Sequence, residues 1–290
     1  MNQDEIRFIQ FPHPGGECRP GPDGKIEWNP SSEDHCRKFL HQKGRWVTGP
    51  DDSSPKEADL DFWAEWEPQS ELIRRLPRGQ PGSPKFLLRP RFFPKTCYQG
   101  LHNTDPFVFG DQFYYCVCKQ EKTMRRLAPG SIIVFGSRLK RSFVLDTVFV
   151  VEAWEPHNAD NYQTLPVPEV YRAAGLAPLY DGGDSCCTNA QGEPHRLYHG
   201  AMHDNRCHGM FSFFPCLPTS EFPAGFARPN ICLPELISQG LPMGLKISHP
   251  LTADQANALW NRVAKQVREH QSLRLGVFAE IPSGGWTSAH

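Results

Sequence analysis

Short stretches of alternating or continuous apolar residues recur along the chain, and they predict a protein rich in β-strands. The clearest is SFVLDTVFVVEAW at residues 142–154, which is β-branched and apolar on both faces. Such a pattern is typical of a strand at the centre of a sheet. Weaker patterns predict strands over residues 6–11, 25–29, 60–67, 112–119, the apolar end of 125–136, 208–215 and 273–281.

Helical periodicity is confined to a few segments, so the sequence predicts an α+β fold and argues against a helical bundle. The strongest helix prediction covers residues 252–271, where Thr252 and Gln255 form a capping box ahead of an apolar stripe. Shorter helices are predicted over residues 33–41, 167–174 and 233–239. The 28 prolines and 24 glycines imply many turns. We therefore expect a mostly antiparallel, barrel-like sheet with flanking helices.

The character of the chain changes after Pro156, where the strand-rich pattern gives way to polar, weakly patterned sequence. We expect residues 1–155 to form a barrel domain with an N-terminal extension. Residues 156–290 are expected to be an α/β elaboration packed on the barrel, in one continuous globular unit. No apolar run approaches the ~18–20 residues of a membrane helix. The N-terminus lacks the apolar core of a secretory signal, so we expect a cytoplasmic protein without membrane contact.

The net charge of −1 excludes a uniformly basic surface for nucleic acid, but it conceals a segregation of charge. Residues 71–145 hold 14 Lys or Arg and 4 acids, a net charge of +10, and both flanking segments are acidic. A localised basic segment favours an anion-binding face. The alternative is that basic loops are neutralised within the fold.

Ten cysteines are present without a CxxC pair, and in a reducing cytoplasm we expect free thiols. The densest group of possible metal ligands lies between residues 195 and 208, and comprises His195, His199, His203, Cys207 and His208. Gly200 and Gly209 oppose the helix that would align these side chains. Zinc ligands normally come in tightly spaced pairs. We therefore expect loop and core residues, and neither a metal nor a cofactor, with a structural metal as the alternative.

Residues 127–154 read LAPGSIIVFGSRLKRSFVLDTVFVVEAW: a Pro-Gly that starts a strand, a small polar strand end, and a V-x-D-x-V-x-V-V strand. This order resembles the centre of the PUA-like β-barrels, the group that includes the PUA, ASCH, EVE and YTH modules. The resemblance extends more loosely over residues 60–154. It implies a PUA-like barrel that binds nucleic acid or a nucleotide, with a base held in an aromatic-lined cleft.

The run LDFWAEWE at residues 60–67 combines indoles with carboxylates, a combination that suits recognition of a base. An indole face stacks on a base at ~1–3 kcal/mol, and a carboxylate accepts hydrogen bonds from the Watson–Crick edge. Strand alternation places Trp66 with the core residues Leu60 and Phe62. Trp63 and Glu65 on the opposite face are therefore the expected pocket pair, and a buried Trp63 is the alternative.

Polar loops supply the remaining candidate ligands. Asn103, Thr104 and Asp105 lie in a turn-forming loop whose side chains are free of a strand ladder, and Ser137 ends a strand. We expect these four residues to contact the base, although each is also a common turn residue. The expected phosphate contacts lie at a strand end and in the turn after it, and they are Lys119, Gln120, Arg125 and Arg126.

The leading hypothesis is therefore a protein that recognises a base of a nucleic acid or nucleotide in an aromatic and acidic pocket with a basic rim. The alternative is a carboxylate-dependent hydrolase or nuclease acting on a nucleotide, in which Asp61, Glu65 and Glu67, with Asp146, suit Mg²⁺. The sequence has no GxSxG, P-loop, GxGxxG or HExxH motif, so no catalytic residue is assigned. A protein partner for the FSFFP segment and the helix at 252–271 is a third possibility.

Overall fold

The computed structural model describes residues 4–79, 81–116, 122–181, 194–221 and 224–284, and it is mostly β-strand with few helices. The strands are β1 (Phe8–His13), β2 (Lys25–Ile26), β3 (Lys38–Val47), β4 (Lys56–Ala64), β5 (Ser70–Arg75), β6 (Phe86–Pro90), β7 (Tyr114–Tyr115), β8 (Ile132–Leu139), β9 (Ser142–His157), β10 (His195–Gly200), β11 (Phe214–Pro218), β12 (Lys246–Ile247) and β13 (Arg274–Ala279). The α-helices are α1 (Glu169–Tyr171), α2 (Ala177–Tyr180) and α3 (Ala253–Glu269), with a π-helical turn at Arg172–Leu176 and 3₁₀ turns at Lys122–Arg125 and Tyr162–Thr164.

The strands form two sheets. One has six strands in the order β12–β1–β8–β9–β10–β7, and the other has seven in the order β13–β11–β4–β3–β6–β5–β2. Because β13 also pairs with β3, the strands β3, β4, β11 and β13 close into a small antiparallel barrel. Only β1–β8 and β3–β6 are parallel among the strand pairs of the described residues. The structure thus confirms an α+β fold with a mostly antiparallel, barrel-like arrangement.

The central position expected for residues 142–154 is confirmed, because β9 lies between β8 and β10 and is the longest strand of the described chain. Its alternate residues serve two separate hydrophobic cores. Phe149 and Val151 pack in the core that contains Phe11 and Tyr115. Val148 and Val150 pack in the core of α3. A strand buried on both faces needs apolar residues on both faces, which is the pattern of residues 143–151 apart from the buried Asp146 and Thr147.

The helix predicted over residues 33–41 is wrong. The chain there leads into β3, which pairs with β4 from Lys38 to Trp46. The residue before β3 is also held in a strand-like bridge, since Arg37 N–H donates to Gly16 O and Cys18 N–H donates to Arg37 O. Tertiary pairing therefore overrides a local helical signal. The helix predicted at 233–239 is reduced to one turn, closed by Ile237 N–H on Leu233 O.

The predicted helix at 252–271 is confirmed as α3, with Thr252 and Gln255 in a reciprocal capping box. Its apolar stripe is buried, and Trp260 packs against Phe211 and Phe213 of the FSFFP segment. This stripe therefore belongs to the chain's own core and is not open to a protein partner. Residues 156–290, expected as an elaboration on the barrel, supply β11 and β13 to the barrel itself. No helix of the described chain has the length and hydropathy needed to cross a membrane.

We predict that Trp260→Ala lowers the free energy of unfolding by about 3–5 kcal/mol, because it removes a fully buried side chain and leaves a cavity. The substitution also removes the indole N–H that donates to Phe211 O. Urea denaturation measures the loss, with the exposed Arg262→Ala on the same helix as the control. A loss below 1 kcal/mol would mean that α3 does not pack on the core as described.

Candidate active site

Two buried glutamates follow the end of β4 and form the centre of the site. β4 ends at Ala64, and the side chains of Glu65 and Glu67 are almost fully buried. Beyond β4, two hydrogen bonds hold the backbone of Glu67. Its N–H donates to Thr104 Oγ1, and its carbonyl accepts from Asn29 N–H. Burying a carboxylate is unfavourable unless it is paired, so both side chains require partners.

Glu65 has three partners from three parts of the chain. Its Oε2 lies 2.7 Å from Arg37 Nη1 and 3.0 Å from His13 Nδ1, and its Oε1 accepts the backbone N–H of Asp105 at 3.1 Å. Burial alone would raise the pKa of the Glu65 carboxyl, but the charges of Arg37, His35 and His13 outweigh burial. The pKa of Glu65 therefore lies well below its ordinary value, and the group is ionised.

Glu67 and Glu65 share His35. His35 Nδ1 lies 2.7 Å from Glu67 Oε1 and 3.7 Å from Glu65 Oε1, while Glu67 Oε2 accepts from Asn29 Nδ2 at 2.7 Å. Burial would lower the pKa of His35, but the two carboxylates outweigh it and raise the pKa above its ordinary value.

His35 is also the member of the cluster that reaches solvent, with 18% of its side chain exposed against 2% and 1% for the glutamates. Its ring lies between two other imidazoles: the ring centroid of His102 is 3.9 Å away, and that of His13 is 5.7 Å away in a stacked arrangement. Of the cluster of His35, Glu65 and Glu67, His35 is therefore the residue in contact with solvent, and it lies beside the half-buried His102.

Arg37 links this cluster to the other sheet. Besides Glu65, its guanidinium donates from Nε to Asp146 Oδ2 on β9 at 2.9 Å. The same aspartate accepts from Arg228 Nη1 at 3.2 Å and from Ser137 Oγ at 3.3 Å. Since Glu65 follows a strand of the seven-stranded sheet and Asp146 belongs to the six-stranded sheet, a chain of buried charges joins the two sheets.

Lys38 is buried beside this network, and no carboxylate of the described residues is bonded to its amine. Its Nζ donates to Pro68 O at 2.6 Å. Burial lowers the pKa of the Lys38 amine to about 7, and the nearby charge of Glu67 only partly opposes this effect.

The expectation of free thiols is wrong for one pair of cysteines. Cys18 and Cys36 form a disulfide, whereas the other cysteines of the described residues are free: Cys97, Cys116, Cys207, Cys216 and Cys232. Because Cys36 lies between His35 and Arg37, the disulfide fastens this part of the site to the segment that follows β1. This covalent cross-link therefore lies directly beside the buried charges.

The structure brings most of the residues expected to bind a base into this one network. Thr104 Oγ1 accepts the backbone N–H of Glu67, and the backbone N–H of Asp105 donates to the carboxylate of Glu65. Ser137 Oγ donates to Asp146 and accepts from Arg228. Asn103 lies beside the buried thiol of Cys116, which also contacts Asp105. Thr104, Asp105 and Ser137 are buried and bonded to members of the network, so they support its carboxylates in the observed arrangement. Asn103 is also buried, and its Nδ2 has no hydrogen-bond partner among the described residues.

Trp63 does not offer the open stacking face that the sequence suggested. The residue is 3% exposed, and its indole N–H donates to Phe226 O at 2.9 Å. The Arg228 guanidinium lies 5.0 Å from the ring centroid, and the ring of Phe39 packs at 5.3 Å. The alternation of the strand is as expected, but both faces of its second half, residues 60–64, are buried. Trp66 is in the core, as expected.

Of the expected phosphate contacts, the two that the structure describes, Arg125 and Arg126, lie beside β10 and are not bonded to the glutamates. Lys119 and Gln120 lie outside the described residues. Arg125 is buried and donates to Pro194 O and His195 Nδ1, next to β10, while Arg126 is half-buried nearby. The basic residues of segment 71–145 are distributed over both sheets, for example on β5 and at the β8–β9 hairpin. Within that segment, Arg91 is paired with Glu71.

The structure also separates residues of two other expected clusters. Asp61 is separate from the glutamates and instead lies 2.8 Å from His41 Nδ1 on the neighbouring strand. The histidines between residues 195 and 208 have different partners: His199 contacts Glu155, and His203 contacts Asp52 O. Among the described residues, the group whose donor atoms are close enough to share a metal ion is His35, Glu65 and Glu67, with all three atoms within 4.8 Å.

Sequence reasoning found the glutamates but missed the residues that complete their surroundings, namely His13, Asn29, His35, Arg37 and Arg228. His13 lies just after the strand predicted over residues 6–11 and precedes Pro-Gly-Gly, which was the one available signal. The others lie in segments that only the folded chain brings together.

Comparison of the chain with models of known protein families finds no match, and no characterised protein or solved structure matches it either.

We predict that Lys38 makes stability rise with pH. Between about pH 7 and 10.5 the unfolded chain binds a proton at Lys38 that the folded chain has lost, so unfolding becomes less favourable as pH increases. The wild-type free energy of unfolding, minus that of Lys38→Met, should rise by up to about 1.4 kcal/mol per pH unit in this window. Urea denaturation at several pH values measures the difference, and a flat difference would contradict a neutral buried amine.

We predict that Arg37→Met lowers the free energy of unfolding by about 3–5 kcal/mol, because Glu65 and Asp146 stay buried without their shared cation. The control is Arg262→Met, whose pair with Glu235 is half-exposed and should contribute below ~1 kcal/mol. Equal effects of the two variants in urea denaturation would show that the Arg37 network does not stabilise the junction of the sheets.

Proposed function

We propose that the protein is a hydrolase that cleaves a phosphoester bond of a nucleotide or nucleic acid at the cluster of His35, Glu65 and Glu67. One observation carries this proposal: two buried carboxylates converge on a single histidine that reaches solvent. Two buried carboxylates that face the same histidine bring like charges close together, and such arrangements are concentrated at functional sites.

The cluster has the groups that phosphoester hydrolysis requires. A water molecule at the solvent-facing side of His35 attacks phosphorus, and its proton passes to a carboxylate of the cluster. The new P–O bond forms as the bond to the leaving oxygen breaks. The leaving oxygen takes up a proton from solvent, to which the carboxylate releases the proton that it accepted from the water. The carboxylates can activate the water directly or through a bound cation.

The substrate class rests on the resemblance of residues 127–154 to PUA-like barrels, which implies a nucleotide or nucleic acid. This segment forms β8 and β9, which supply Ser137 and Asp146 to the buried network. The resemblance and the cluster thus refer to the same part of the molecule. Recognition of the base, our leading expectation from sequence, then belongs to the binding of this substrate, through groups other than the covered face of Trp63.

We predict that Glu67→Gln reduces hydrolysis at least ~100-fold, because an amide retains the shape of the side chain but cannot take up a proton. The measurement is phosphate release from nucleoside mono- and triphosphates, together with cleavage of labelled single-stranded DNA and RNA. The matched control is Asp61→Asn, which alters a buried carboxylate that also contacts a histidine but lies outside the cluster.

Activity that falls in Glu67→Gln and persists in Asp61→Asn supports the proposal. Wild-type protein that cleaves none of these substrates, or equal losses in both variants, would contradict it. Substrate binding measured at several salt concentrations tests the nucleotide class separately, since phosphate contacts weaken as salt increases.

A further inference from the structure

We infer that His35, Glu65 and Glu67 form a binding site for a divalent transition-metal ion, with Zn²⁺ as the best match to the donor set. The inference deepens the proposed function and rests on it, since it selects activation of water through a cation. The site follows from donor geometry, from the support of each ligand, and from the side on which it is open.

The three donor atoms are arranged closely enough for one ion. His35 Nδ1 is 2.7 Å from Glu67 Oε1 and 3.7 Å from Glu65 Oε1, and the three ligand atoms lie within 4.8 Å of one another. Bonds of ~2.0–2.2 Å in a tetrahedral zinc site place ligand atoms about 3.4 Å apart. The distance from His35 Nδ1 to Glu65 Oε1 is already within about 0.3 Å of this spacing, and Glu67 Oε1 must move about 0.7 Å away from His35 Nδ1 to admit an ion.

In each carboxylate, the oxygen that does not face the ion accepts hydrogen bonds from the protein, as is usual for metal ligands. Glu65 Oε2 accepts from Arg37 and His13, so its Oε1 is oriented toward His35. Glu67 Oε2 accepts from Asn29 Nδ2, which orients Glu67 Oε1 in the same direction. The Asp105 N–H on Glu65 Oε1 leaves a second lone pair on that oxygen.

The identity and role of the ion follow from the donors. An imidazole nitrogen favours transition metals over Mg²⁺ and Ca²⁺, which prefer oxygen ligands throughout. Three protein ligands leave one position of a tetrahedron open, as in catalytic zinc sites, and the partly exposed side of His35 is where a water would occupy it.

The chain offers a matched control for a binding experiment. His41 resembles His35 closely: its Nδ1 lies 2.8 Å from the carboxylate of Asp61, and 19% of its side chain is exposed. It differs in facing one carboxylate where His35 faces two. A variant at each position separates binding at the cluster from binding at an ordinary surface histidine.

The test is calorimetric titration of chelator-treated protein with Zn²⁺, and separately with Mg²⁺, for wild type and for His35→Gln, Glu67→Gln and His41→Gln. We expect one Zn²⁺ site in the wild type, retained in His41→Gln and weakened at least ~10-fold in the other two variants. Binding that is the same in His35→Gln and the wild type, or no Zn²⁺ binding, would overturn the inference.

Spectroscopy covers the case in which His35→Gln does not fold. Co²⁺ bound to the wild type at a nitrogen–oxygen site gives no thiolate-to-metal charge-transfer band, whereas a strong band would place the ion at cysteines and overturn the inference. Hydrolysis that depends on Glu67 but survives complete chelation would refute the metal site and leave the proposed function standing. A metal site at the cluster in a protein that cleaves no phosphoester would refute the proposed function alone.

Discussion

The structure depends on one cation, the guanidinium of Arg37, which is fully buried between two carboxylates of different sheets. Its Nη1 lies 2.7 Å from Glu65 and its Nε 2.9 Å from Asp146. A buried pair of this kind gains little over apolar packing, but the loss of one member leaves an uncompensated charge. Arg37 therefore fixes how the two sheets meet, and the position of the glutamates follows from that junction.

The same constraint explains why the site is at this junction. Ordinary strand pairing satisfies the backbone of β4 up to Ala64, and the chain then enters a region whose partners are side chains and loops. Two carboxylates remain there among imidazoles, with His35 leading to solvent. The Cys18–Cys36 disulfide strengthens this region, since it ties His35 and Arg37 to the segment after β1. Stability and candidate chemistry thus share the same residues.

The local pattern of apolar residues was sufficient to predict elements that are buried on both faces or along one stripe. It predicted the central strand β9 and the capped helix α3, because a doubly buried strand and an amphipathic helix have distinct periods. It failed at residues 33–41, where capping residues indicated a helix and pairing with β4 produced a strand. It predicted Glu65, Thr104, Asp105 and Ser137 as site residues and left a buried Trp63 as the alternative, but it could not predict the burial of the site residues. That burial depends on which segments meet, and Arg228 reaches Asp146 from 82 residues away.

The most direct test of this account is a crystal structure of the protein grown with Zn²⁺, with diffraction data collected on both sides of the zinc absorption edge. The account predicts an anomalous peak at bonding distance, about 2.0–2.2 Å, from His35 Nδ1 and from one oxygen each of Glu65 and Glu67. Ordered side chains at this cluster with no anomalous peak between them, in crystals that hold zinc elsewhere on the protein, would contradict it.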